Sequence, residues 1–206
     1  ILHGSRGDDG RTNWDGMNTN VFFGGAGGQQ RTYYFNTVAT QEVVIDTGGA
    51  NAETETGGTN VNMVPREGSN RFSVYGLATY TDKRFSAKAV PSDLKTERNI
   101  TDQSSLKQIY DFGVGVGGPI RQDKAWFYAT SRNWGAQNFG AAVFEDSDSV
   151  LHTYTPDLSR QLYADTYFAD RSFRVTWQAA AKHKINQEIH LQHGCSCELG
   201  IGAGAL

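Results

Sequence analysis

From Arg71 onward, apolar and polar positions alternate with the period of two that belongs to β-strands, whose successive side chains point to opposite faces. In residues 109–117, Tyr110, Phe112, Val114 and Val116 fall on one face, and Asp111, Gly113, Gly115 and Gly117 on the other. One side is therefore apolar and the other nearly bare backbone. Phe173, Val175, Trp177 and Ala179 alternate with Ser172, Arg174, Thr176 and Gln178, and Ile185, Ile189 and Leu191 alternate with Asn186, Glu188 and His190. Phe72, Val74, Gly76, Ala78 and Tyr80 repeat the theme more weakly against Arg71, Ser73, Tyr75, Leu77 and Thr79. Over 124–134 the parity stays open, because Trp126 and Tyr128 compete with Phe127 and Ala129.

The part up to about Gly68 has a different texture, with short strands between glycine-rich turns. Residues 39–46 (ATQEVVID) and 60–64 (NVNMV) each read as a strand, the second stopped by Pro65, which cannot donate to a ladder. Gly24, Gly25, Gly27 and Gly28 mark a loop. The connections after Arg71 alternate in length: a long polar loop between about 81 and 106, a tight turn at 120–124, a long loop over 137–170, and a tight turn at 181–184. Outer-membrane barrels alternate in this way, with short periplasmic turns and long extracellular loops. Tyr80, Trp126, Trp134 and Phe139 lie near strand ends, where interfacial aromatic girdles are expected.

Composition narrows the classes. The chain has 206 residues, is 38% hydrophobic, and carries 24 glycines against 4 prolines, which describes turns and aromatic strands and predicts an all-β fold. No run approaches the roughly 20 apolar residues of a membrane helix, which leaves a β-barrel open because its strands average out as polar. A net charge of −3 argues against a nucleic-acid partner. No signal peptide is visible after Ile1, and a fragment of a longer protein is the expectation.

Candidate chemistry is sparse. Gly113, Gly115 and Gly118 satisfy G-x-G-x-x-G, but Pro119, a charged turn and an aromatic strand follow where a dinucleotide site needs a helix. His190, His193, Cys195 and Cys197 are soft-metal ligand types, yet the two histidines differ by an odd number of residues and point to opposite strand faces. The cysteines are too close together for an ordinary bridge, and read as a loop-tip pair that is structural or pairs elsewhere. Asp8, Asp9, Asn13 and Asp15 lack calcium-loop spacing and read as turn chemistry. No nucleophile elbow or metal-hydrolase spacing occurs, so the expectation is a non-enzyme with no catalytic residue, no metal and no cofactor.

Residues 46–53 (DTGGANAE) followed by 56–73 (TGGTNVNMVPREGSNRFS) resemble the end of the plug and the first barrel strand of TonB-dependent outer-membrane receptors, in the Oar-like group. Residues 117–127 (GGPIRQDKAWF) resemble that group's second periplasmic-side hairpin, and residues 1–6 (ILHGSR) with Asp15-Gly16-Met17 its plug strand and Asp-Gly turn. The resemblance implies the C-terminal part of a small plug domain over 1–68, followed over 69–206 by the first strands, roughly five, of an incomplete transmembrane antiparallel β-barrel. It also implies energy-coupled passage of a ligand across the outer membrane of a Gram-negative bacterium. The partners implied are outer-membrane lipid, an unknown extracellular ligand and a TonB-type complex, whose contact segment lies before the plug and is expected to be absent here. The long loops 82–105 and 136–170 would serve the ligand side. The bare face at Gly113, Gly115 and Gly117 would leave room for the plug. The rival from another class is a soluble extracellular β-sandwich binding carbohydrate or protein, in which the apolar strand faces would meet in a core.

Overall fold

A computed structural model of the chain describes residues 10–19, 34–47, 58–86, 105–147 and 153–197. The expectations placed on 1–6, on Asp8 and Asp9, on the loop at 24–28 and on most of the 82–105 loop lie outside these residues. The described part is all β apart from one 3-10 turn, Lys83–Phe85. Its strands are β1 (Arg11–Trp14), β2 (Met17–Asn18), β3 (Thr40–Asp46), β4 (Asn60–Pro65), β5 (Ser73–Asp82), β6 (Ser105–Arg121), β7 (Ala125–Asp146), β8 (Pro156–Ala180) and β9 (His183–Cys197).

The first four strands make a small mixed sheet in the order β2-β1-β4-β3. β1 and β2 are joined by Asp15-Gly16, both at positive φ (50° and 79°), as a two-residue hairpin of the primed type requires. β1 lies parallel to β4 and β3 antiparallel to it. Asparagine side chains support the ladder: Asn13 Nδ2 donates to Asn60 Oδ1 (2.8 Å), and Gly16 N–H to Asn62 Oδ1 (3.0 Å). β4 ends at Pro65, as expected, and the next amide, Arg66 N–H, closes on Ala39 O at 2.7 Å.

The remaining strands form a five-stranded meander, β5-β6-β7-β8-β9. Cross-strand contacts show antiparallel pairing: Asp111 meets Arg132 and Gln108 meets Gln137 from β6 to β7, while Thr130 meets Ser172 and Gln137 meets Asp165 from β7 to β8. The tight turns fall where expected, at 122–124 with Asp123 at φ 60°, and at 181–182. The long loop expected over 137–170 is corrected. β7 continues to Asp146 and β8 begins at Pro156, so the connection is confined to 147–155. Residues 137–146 carry apolar side chains on both parities, and in 156–169 Arg160 and Thr166 interrupt the row Leu158, Leu162, Ala164 and Phe168, so neither stretch shows a clean alternation. Here cross-strand amide bonds hold them instead.

The chain divides into two compact units, one of residues 1–76, 114–131 and 170–192, the other of 77–113, 132–169 and 193–206. In the first unit the sheet has an inverted polarity. Phe72 (72% exposed), Val114, Val116, Phe173, Trp177 (50%), Ile185, Ile189 and Leu191 (68%) stand on its open face. The other face carries Tyr128, Thr130, Asp170, Ser172, Arg174 and Thr176, all buried. A soluble sandwich does the reverse. The open parity at 124–134 is thereby settled: Tyr128, Thr130 and Arg132 are buried, and Phe127 joins Phe72 and Phe173 in an aromatic row, centroids 6.4 Å apart at each step.

In the second unit Phe112 is exposed on the apolar parity, with Tyr110 stacked on it at 6.2 Å. On the opposite parity Arg132 grips Asp111 through Nε and Nη2 (2.8 and 2.7 Å), and its guanidinium lies 4.3 Å over Trp134. Trp126 and Trp134 thus share the parity of Tyr128 and Arg132, not the apolar face. That corrects their assignment to an outer girdle, since the rings on the apolar side at the turn end are Phe72, Phe127 and Phe173.

Candidate functional site

Within the first unit, the residues before β5 rest on the buried polar face of the meander. β1 presents Trp14, its hairpin Asp15, the segment before β3 Asn36 and Val38, and the link from β4 to β5 Glu67. Strands β8 and β9 answer with Asp170, Ser172, Arg174, Glu188 and His190, every second residue of each strand.

Arg174 is the hub. It is 5% exposed, and its guanidinium reaches Glu188 Oε2 (2.7 Å), Asp15 Oδ2 (2.9 Å) and Glu67 Oε1 (3.4 Å). Glu188 also accepts from Trp14 Nε1 (3.1 Å) and pairs through Oε1 with His190 Nε2 (2.6 Å). Glu67 closes the set on Lys184 Nζ at 2.6 Å. Trp14 stands edge-on to His190, centroids 5.2 Å apart, and stacks on Phe35. Among the described residues, Arg174 Nε and Thr176 Oγ1 are buried without a hydrogen-bond partner.

A second cluster lies around Asn36. Its side-chain amide donates to Thr130 Oγ1 (2.9 Å) and Asp170 Oδ1 (2.7 Å), and its Oδ1 accepts from Val38 N–H. Asn36, Val38 and Asp170 are fully buried. Thr130 and Ser172 share a very short hydroxyl contact, and His190 Nδ1 stands 3.8 Å from Asp170 Oδ2. A buried carboxylate is tolerated only when paired or hydrogen-bonded, so this cluster fixes where the segment sits.

The glycine face reads as expected at one position and differently beside it. A methyl on Gly115 would meet Val38 Cγ1 at 3.1 Å, so the preceding segment does approach the sheet there. The same methyl would lie 2.5 Å from Tyr128 Oη, and one on Gly117 would lie 2.5 Å from Tyr128 Cδ2. The bare face is thus filled mainly by a tyrosine of the next strand.

The other sequence candidates disperse. Gly113, Gly115 and Gly118 lie within β6, which leads through the turn at 122–124 into β7 and not into a helix. Asn13 and Asp15 serve the hairpin and the ion-pair set. His190 joins that set, while His193 hydrogen-bonds Tyr167 (3.4 Å). Cys195 and Cys197 correct the sequence reading: they are bonded to each other, on β9 and not at a loop tip. Residues i and i+2 of a strand share a face, and a Cα separation of 5.2 Å falls inside the range that a disulfide spans. Sequence reasoning missed Asn36, Glu67, Asp170 and Lys184. The available signal was the polar parity that carries Arg174, Glu188 and His190.

No family model matches the chain. In sequence it is similar to the TonB-dependent transporter Oar of Myxococcus xanthus, 28% identical over 188 residues that take in 84% of this chain and 17% of that protein. The chain therefore spans about a sixth of that relative's length. In fold it is similar to a point mutant of the ferric enterobactin receptor of Pseudomonas aeruginosa, with a TM-score of 0.54 and 12% identity, over 93% of this chain and 26% of that one. In sequence the chain resembles the TonB-dependent transporter Oar, and in fold an outer-membrane receptor, as the end of a plug and the first strands of an incomplete antiparallel barrel.

Proposed function

We propose that the chain is the part of an outer-membrane transporter in which a plug, residues 1–68, meets the opening strands of its barrel, residues 69–206. The protein passes a ligand across the outer membrane of a Gram-negative bacterium, with energy supplied by a TonB-type complex. The observation that carries this reading is the inverted polarity of the sheet, whose apolar residues are exposed while Arg174, Asp170 and Thr176 are buried under the preceding segment. A barrel wall facing lipid on one side and a plug on the other has this distribution. The soluble-sandwich reading is not favoured, because its apolar faces would be the covered ones. The polar seam around Arg174 and Asn36 is what must loosen for a path to open. It is built of ion pairs and hydrogen bonds that water can replace, whereas an apolar contact would leave greasy surface exposed.

The test is conductance in planar bilayers of the polypeptide that carries this chain. The intact protein is expected to be closed, and deletion of residues 10–65 to leave a large, steady pore. A deletion variant that inserts and stays closed would count against a plug in this segment. Adding the energised TonB-type complex to the intact protein should raise ligand passage, and no change would remove the coupling claim.

A further inference from the structure

We infer that the short-turn end of the sheet carries a binding site for anionic glycerophospholipid headgroups, built from Arg71, Arg121, Lys124 and Lys182. The inference rests on the reading that this sheet crosses the outer membrane with its short turns in the periplasm.

Other cations on these strands are engaged. Arg132 is held by Asp111, Arg174 by Glu188 and Asp15, Lys184 by Glu67, Arg160 by Glu145, Arg84 by Asp82, and Lys107 lies over the Tyr163 ring. Arg71, Arg121, Lys124 and Lys182 are exposed, and among the described residues none of them has an ion-pair partner. They come from four separate places in the sequence: the segment before β5, the end of β6, the end of the following turn and the turn between β8 and β9. The fold gathers them at one end. Lys124 O accepts from Gln178 N–H at 2.8 Å, which ties the first turn to the end of β8. Asp123, the acid of that turn, is already held by Asn70 Nδ2 (2.5 Å), and Asn70 Oδ1 accepts in turn from Trp126 Nε1 (2.7 Å). Asp123 offsets one of the four positive charges at this end, and the set stays net cationic.

Directly beside them the apolar face begins. Phe72 follows Arg71, Ile120 (59% exposed) precedes Arg121, and Phe127, Phe173 and Trp177 continue the row. An exposed cation next to exposed aromatic and branched side chains matches a lipid whose phosphate sits immediately above its acyl chains. Phospholipid is the occupant chosen over lipopolysaccharide, because the short turns mark the periplasmic side.

Spin-labelled phosphatidylglycerol and phosphatidylcholine, compared around the intact polypeptide in vesicles, test the site. Selection for phosphatidylglycerol of about five-fold at low ionic strength is expected, the scale set by one cation near an anionic surface. It should vanish in the variant Arg71→Gln, Arg121→Gln, Lys124→Gln, Lys182→Gln, and in molar salt for the unaltered protein, which needs no variant to fold. Equal association of the two lipids, or selection that survives both the variant and salt, would overturn the site. Co-flotation with vesicles and heat-modifiable mobility report insertion separately. A protein that floats without selecting loses only the lipid site, and one that does not float loses the membrane reading with it.

Discussion

Arg174 shows what a single residue carries here. It is a buried cation facing three carboxylates, so truncating it leaves Glu188, Asp15 and Glu67 without their shared partner. Arg174→Ala should destabilise the folded protein by about 3–5 kcal/mol, the range for breaking a buried pair, read from urea unfolding in detergent micelles. Arg174→Lys should recover only part of that, because an ammonium cannot fork between Glu188 and Asp15. At Gly117 the expected fault is overpacking: Gly117→Ala pushes against Tyr128 and should cost about 1–3 kcal/mol. The double variant with Tyr128→Ala should cost less than the sum of the two singles if that collision is the cause. Asp157 allows a pH test clear of the membrane, since it sits near the far end of a 25-residue strand of which a span uses about 10. The Ser159 hydroxyl and amide, at 2.6 and 2.9 Å, hold its carboxyl below the usual carboxylate range. A depressed folded pKa means the contribution of the Asp157–Ser159 contact is present above the ordinary value and is lost as pH falls through the folded one. Ser159→Ala should raise the titration midpoint of the Asp157 carboxyl signal, and an unmoved midpoint would dismiss Ser159 as its cause.

At the scale of elements, strand identity was legible wherever one face was apolar. Residues 109–117, 172–179 and 185–191 all fall in strands at the expected parity, and the two tight turns fall within the expected runs 120–124 and 181–184. Legibility failed where the alternation is broken, in 137–146 by apolar residues on both parities and in 156–169 by Arg160 and Thr166 within the apolar row. The outer halves of β7 and β8 are held by the Gln108, Gln137 and Asp165 ladder and by Lys107 over Tyr163, and such pairings have no period to read. Brief proteolysis of the folded protein should therefore cut at 147–155 and spare 137–146. Early cleavage within 137–146 would restore the loop reading. The seam was half legible: its strand side lay in the polar parity of Arg174, Glu188 and His190. Its other side could not be read, because Asn36 and Glu67 become partners of that parity only once the first sheet is folded beside it.

For the molecule as a whole, the polarity of the sheet makes a prediction that separates solvents. Val114 is 46% exposed, and at a water-facing position Val114→Arg would change stability by about 0.5 kcal/mol or less. At a lipid-facing position near the midplane, the same change should cost about 2–4 kcal/mol, measured by unfolding from vesicles. A neutral result in vesicles would remove the lipid-facing assignment of this side of the sheet.

The parallel pairing of β1 with β4 has a consequence for the order of assembly. Arg11 is matched with Asn60 and Trp14 with Met63, so this ladder cannot start until nearly fifty further residues are in place. The β6–β7 and β8–β9 hairpins need only the few residues of their own turns. Loop closure makes the distant pairing the slow one. In a refolding time course, amides of the two hairpins should gain protection from exchange first. Those of β1 and β4 should follow as a later phase.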